Sequence, residues 1–219
     1  MKRTLSLLLT MLLIVSLFSS TAFATENSAS LSQPINQVLE TIIDTPSKGV
    51  LTSPDGTTKE ITGKLVKANI LSNNLVECTY AYDFIIPRGS GSITEDDTDS
   101  SASVRAYNTV YLSTTSHNGA LYVLLTKVSG RWTILDSQVS VSKCSIQYRC
   151  DGVSIDGPGT IQTGSRASVS NNYSVSTGFS DYVGAGMLGC FVGNQMTLTL
   201  KRGSSNTWTF TLGNIPYQY

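Results

Sequence analysis

Residues Leu121 to Val141 read LYVLLTKVSGRWTILDSQVSV, and an echo, MTLTLKRGSSNTWTF, runs from Met196 to Phe210. In both, an apolar run interleaved with Thr reaches a Lys (Lys127, Lys201), passes a Gly (Gly130, Gly203) and restarts at a Trp followed by Thr (Trp132, Trp208). Apolar and β-branched runs broken by a small residue are a hairpin pattern, because Gly accepts the backbone angles of a tight reversal. The stretch is expected to form two strands joined at Ser129–Gly130, and its echo a second hairpin turning at Gly203. Hairpins in both halves of the chain imply antiparallel sheet throughout.

The flanking sequence has the same character. His117-Asn118-Gly119 separates Val104–Thr114 from the run that starts at Leu121, and Asn-Gly between apolar alternations is a strong short-range hairpin signal. Upstream, Leu75–Ile86 places Val76, Cys78, Tyr80 and Tyr82 on one face, with Asn73-Asn74 as a turn before it and Lys64–Leu71 as its partner. Pro54-Asp55-Gly56 divides Val50-Leu51 from Glu60-Ile61-Thr62. Only Ile35, Val38, Leu39, Ile42 and Ile43 repeat at helical spacing, which predicts one short helix starting near Pro34. Downstream, Trp132 to Val141 is expected to continue toward Cys150, Arg166–Val175 to form a strand pair around Asn171-Asn172, and glycine-rich Thr177–Gly193 to hold bulges. The fold class is all-β: an antiparallel β-sandwich, Ig-like or similar, with one N-terminal helix.

The chain starts with a basic pair (Lys2, Arg3), an apolar run from Leu5 to Leu17 and a small-x-small site at Ala22-Phe23-Ala24. That order is a secretory signal peptide over residues 1–24, resembling the leaders of exported Gram-positive bacterial proteins. Its apolar core is shorter than the ~20 residues a membrane-spanning helix needs. Residues 25–33 are small and polar and read as a flexible arm. Residues 34–219 read as one sandwich domain, with Cys150 as a possible seam between two smaller β modules. Of 15 basic and 15 acidic residues the leader holds two basic ones, which leaves 13 against 15, a balance of −2. With no basic cluster, neither nucleic acid nor an anionic membrane is an expected partner.

Cys78, Cys144, Cys150 and Cys190 are four cysteines in an exported chain, which favours disulfides over metal or catalytic thiols. Cys144 and Cys150 lie ~20 Å apart in one extended strand, so each is expected to pair with Cys78 or Cys190. The preferred pairing is Cys78 with Cys144 and Cys150 with Cys190.

The chemistry-bearing residues are sparse. His117 is the single histidine and falls at a hairpin tip, a poor place to orient a catalytic base. Nucleophile elbow, zinc-protease, P-loop and dinucleotide motifs do not occur. Asp96, Asp97 and Asp99, beside Glu95, are oxygen ligands of the kind Ca²⁺ takes, but they depart from EF-hand spacing and read as a solvated loop. No metal and no cofactor are therefore assigned. Trp132, Trp208, Tyr182 and Tyr217 are the candidate contact residues, because aromatics at strand ends stack on sugar faces or fill a partner's pocket. The functional expectation is a secreted, non-enzymatic protein that binds an extracellular glycan, cell-surface polymer or protein. The alternatives are a carboxylate-dependent extracellular hydrolase and a surface-assembly protein that pairs through strand edges.

Overall fold

A computed structural model describes residues 33–87, 102–204 and 206–218. The leader, most of the arm, the acidic residues Asp96, Asp97 and Asp99, and Tyr219 lie outside the described residues. Pro34–Tyr219 forms a compact unit. One helix, α1 (Gln33–Asp44), precedes the strands β1 (Lys48–Thr52), β2 (Thr58–Thr62), β3 (Lys64–Ser72), β4 (Leu75–Phe84), β5 (Val104–His117) and β6 (Ala120–Ile134). Then follow β7 (Val139–Val153), β8 (Gly159–Arg166), β9 (Tyr173–Ser176), β10 (Val183–Gly184), β11 (Phe191–Arg202) and β12 (Asn206–Gln218).

The strands build two antiparallel sheets. The first has the order β2-β1-β12-β11-β7-β8, and the second β10-β6-β5-β4-β3, with β9 also on β6. This differs from the Ig order of four strands against three. Alternation along each strand decides what lies between the sheets. Cys78, Tyr80 and Tyr82 of β4, Ala106 and Val110 of β5, and Val123 and Leu125 of β6 point inward from the second sheet. They meet Ile146 and Tyr148 of β7, Met196 and Leu198 of β11, and Trp208 and Phe210 of β12. Phe210 packs tilted against Phe84 at 3.9 Å between ring centroids. Polar groups also bridge the layers: Asn194 Nδ2 donates to Asn108 Oδ1 at 2.7 Å, and Asn214 Nδ2 donates to the carbonyls of Asn108 (2.9 Å) and Cys78 (3.1 Å). These amides are only partly satisfied, since Asn108 Nδ2, Asn194 Oδ1 and Asn214 Oδ1 are buried without a partner among the described residues, but the three bonds they make tie the sheets together, and a slip would strand further buried polar groups.

α1 buries Ile35, Val38 and Ile42 of the expected apolar repeat, whereas Ile43, at the edge of that stripe, is exposed. Tyr80 OH reaches the Ile42 and Thr45 carbonyls, both at 2.8 Å, so orphan acceptors at the helix end are satisfied by the second sheet.

Three expectations are corrected. The first concerns Leu121–Val141, which does not turn at Ser129–Gly130: β6 runs unbroken from Ala120 to Ile134 and the chain reverses over residues 135–138. Asp136 makes that reversal, its carboxylate accepting from Gln138 N (3.0 Å) and its carbonyl from Val139 N (2.9 Å). The second concerns Arg166–Val175, which is no strand pair, because β8 belongs to the first sheet on β7 and β9 to the second sheet on β6.

The third concerns the cysteines: all four are buried free thiols. Cys78 and Cys144 occupy laterally offset parts of the core, Cys78 under Asn214 of β12 and Cys144 beside Tyr173 of β9. Strands ~4.8 Å apart within sheets ~10 Å apart put that pair beyond the ~7 Å between α-carbons a bridge spans. Cys150 and Cys190 are closer. Val192 pairs with Cys150 and Phe191 with Asp151, so Cys190 falls diagonal to Cys150 on the same inward face.

Candidate functional site

The outer face of the second sheet carries the most developed surface feature. On β4 and β5 the odd-numbered residues from Glu77 to Asp83 and from Arg105 to Tyr111 face outward, and their register aligns them in rows across strands. The central row is Lys67, Thr79, Thr109, Ser129 and Ser174, taken from β3, β4, β5, β6 and β9. One flanking row is Lys64, Ala81, Tyr107 and Arg131; the other is Asn69, Glu77, Tyr111, Lys127 and Ser176. Rows two residues apart lie ~6.6 Å from each other along a strand, so Tyr107 and Tyr111 stand ~13 Å apart. Between them runs a trough of about 580 Å³, with hydroxyls on its floor, a tyrosine on each side, Val66 and Lys67 at one end and Asn172 at the other.

Each part of the trough is held in place. The Thr79 and Thr109 hydroxyls bond each other at 2.9 Å, which leaves each with further donor or acceptor capacity. Glu77 accepts from Lys67 Nζ at 2.6 Å and from Tyr111 OH at 3.1 Å. The hydrogen bond to this carboxylate raises the Lys67 amine above its usual pKa, so the cation persists across the physiological range. Beside the walls, Lys127 Nζ sits 3.7 Å from the Tyr111 ring centroid, and in them the Arg131 guanidinium carbon lies 4.1 Å from that of Tyr107. Cation–π contacts at these distances orient flexible side chains without neutralising them.

The chemistry on offer is recognition. Hydroxyls that both donate and accept, aromatic walls and oriented cations bind polar, ring-bearing molecules. The one carboxylate lining the trough, Glu77, is committed to Lys67 and Tyr111. A second hollow, of about 460 Å³, lies beside Ser47, Gly213 and Pro216. Lys48 is the charged residue lining it, and Lys48 is already paired with Glu60 at 2.9 Å.

The residues singled out from sequence lie elsewhere. Trp208 (0% exposed) and Tyr217 (1%) are core residues, and a side chain with no accessible face contacts no ligand. Trp132 is half-buried and packs on the core, facing away from the trough that Arg131 enters. Tyr182 is half-buried as well, its hydroxyl 2.7 Å from Ser113 Oγ. His117 is exposed at the β5–β6 turn, next to Asn118 and Gly119 at φ 50° and 78°. Among the described residues no group of three His, Cys, Asp or Glu side chains is placed to hold a metal. Burial pushes the thiols of Cys78, Cys144 and Cys150 up to about 12 and that of Cys190 to about 11, far from the thiolate a nucleophile requires.

Sequence reasoning missed the trough residues, although part of the signal was there. Arg105, Tyr107, Thr109 and Tyr111 alternate with Val104, Ala106 and Val110, a polar and aromatic face opposite an apolar one. What that alternation lacks is the register that sets Thr79, Ser129 and Ser174 beside Thr109. Compared with known protein families, curated proteins and solved structures, the chain matches none.

Proposed function

We propose that this is an exported, non-catalytic binding protein that holds a segment of an extracellular glycan in the outer trough of its second sheet. The observation that carries the reading is the hydroxyl row Thr79–Thr109–Ser129–Ser174 running between Tyr107 and Tyr111. Sugars present hydroxyls for exchange with a hydroxyl floor and apolar C–H faces to aromatic walls, and an open trough admits the middle of a chain as well as its end. The test is an immobilised oligosaccharide panel probed with the protein. Capture of a defined subset, weakened about tenfold or more by Tyr107→Ala and several-fold by the near-isosteric Thr109→Val, is the expected result. Binding that survives both substitutions would remove the trough from the reading.

Export carries a second expectation. In an oxidising compartment the diagonal pair Cys150 and Cys190 is the pair expected to bridge, with a small backbone adjustment, while Cys78 and Cys144 stay as thiols. Counting thiols in the exported protein, unfolded in urea without reductant, should give two, assignable to Cys78 and Cys144. A count of four would rule out the bridge.

A further inference from the structure

We propose that the glycan held in the trough is acidic, its repeat carrying carboxylate or phosphate groups. This rests on the trough being the glycan site and adds the charge of its occupant. The outer face of the second sheet holds five cations (Lys64, Lys67, Lys127, Arg105, Arg131) and two carboxylates (Glu77, Asp83), a local balance of +3 in a chain with 15 charges of each sign.

The two carboxylates are each taken by one cation. Lys67 pairs with Glu77 at 2.6 Å, and Arg105 pairs with Asp83 through two nitrogens, at 2.5 and 2.9 Å. Lys64, Lys127 and Arg131 are left with no carboxylate at ion-pair distance among the described residues. Two of these flank the hydroxyl floor on opposite sides, each held over a tyrosine ring: Arg131 lines the trough beside Tyr107, and Lys127 stands next to the lining, beside Tyr111 in the other flanking row. A ring quadrupole attracts a cation but supplies no counter-charge, so both retain hydrogen-bonding capacity for an anion on this face. Cations fixed in position before binding lose little freedom when an anion arrives, and that favours a charged ligand over a neutral one.

The spacing sets what kind of anion fits. Lys127 and Arg131 lie four residues apart on β6, ~13 Å, and thus bracket a short oligosaccharide. One small ion does not reach both. Charge repeated along a polymer meets both clamps at once, whereas a single terminal acid meets only one.

The test uses the full chain with three immobilised polymers: polygalacturonic acid, the same polymer fully methyl-esterified, and poly(glycerol phosphate). The first two share one sugar backbone and differ in the charge of each carboxyl and the methyl group that removes it. The expected result is capture by an acidic polymer at least tenfold tighter than by the esterified one, declining as salt rises from 50 to 300 mM. It should also fall about tenfold in the Lys127→Gln, Arg131→Gln double variant, with an unchanged melting curve. Capture of the first polymer supports the proposal with carboxylate as the acid, and capture of the third beside panel oligosaccharides supports phosphate; capture of the third alone, a polyanion without sugar rings, overturns the glycan reading. Equal capture of esterified and unesterified polymer overturns the acidic assignment and leaves the glycan reading standing. Acid-selective capture that the double variant does not weaken overturns the assignment of that selectivity to the trough. Failure to bind any of these polymers or any member of the oligosaccharide panel overturns the glycan reading itself.

Discussion

Two stretches that look alike in sequence do opposite things. KVSGRW, Lys127 to Trp132, stays within one strand, whereas KRGSSNTW, Lys201 to Trp208, reverses the chain between β11 and β12. The two glycines show why. Gly203 has φ 66° and open space where a side chain would be, so it is there for a backbone shape. Gly130 has ordinary strand geometry, but a Cβ there would lie 2.6 Å from the Tyr173 hydroxyl and 2.8 Å from its ring, so it is there for the space it leaves. Ser129, beside it, contributes to the trough floor. The tryptophans diverge in the same way: Trp208 is sealed in the core and Trp132 only half-covered. A repeat of residue types is therefore no repeat of roles. The role is set by what the rest of the chain brings alongside.

The largest effect that sharpens this contrast is expected at the tryptophans. Trp208→Ala removes a fully buried indole from between the sheets and should cost about 3–5 kcal/mol, enough to unfold a marginal domain; Trp132→Ala should cost markedly less. Urea denaturation of the two variants side by side reads the difference. Trp208 Nε1 is buried without an acceptor among the described residues, so Trp208→Phe gives up no hydrogen bond and should recover most of the loss. Equal losses at both tryptophans would contradict the asymmetry.

Next comes Gly130→Ala. The new methyl forces the Tyr173 ring to move, and that ring is held by β9 and by its hydroxyl's contact with Met196 Sδ at 3.4 Å. Overpacking of this kind should cost about 1–3 kcal/mol. It should also weaken ligand capture, because Tyr173 and Ser174 line the trough. Adding Tyr173→Phe, which removes the nearest clashing atom, should return part of the stability. A Gly130→Ala protein as stable as its parent would contradict the close approach of Tyr173 as the reason for the glycine.

Local chemistry was legible in the sequence and long-range pairing was not. Pro54-Asp55-Gly56, Asn73-Asn74 and Asn118-Gly119 turn where their backbone preferences say they should, and the α1 period buries Ile35, Val38 and Ile42. The Asp136 turn was also readable, since an Asp side chain offers an acceptor to the amide two residues on, but Gly130 drew the reversal six residues too early. What Gly130 accommodates comes from Tyr173, 43 residues further on, and no local preference encodes that. The trough follows the same rule. Its floor draws one hydroxyl from each of β4, β5, β6 and β9, so it exists only once four separate strands are in register.

The smallest effect belongs to the true turn. At Gly203 any side chain fits in space, and the only penalty is the left-handed backbone, about 1–2 kcal/mol for Ala. Asn tolerates that conformation better than Ala, so Gly203→Asn should lose visibly less. The loop carries one further tie, because Arg202 reaches Asp136 at 2.6 Å and Gln138 at 3.1 Å, which docks the β11–β12 turn on the β6–β7 turn. A strained Gly203→Ala should therefore loosen both turns together, seen as faster amide exchange at Gln138 and Val139 as well as at residues 203–204, with exchange at Ser129 and Gly130 unchanged. At Gly130 the order of side chains reverses: steric bulk sets the loss there, so Asn should be worse than Ala. Opposite rankings of Ala and Asn at the two glycines would separate a residue kept for its backbone angle from one kept for the room it leaves.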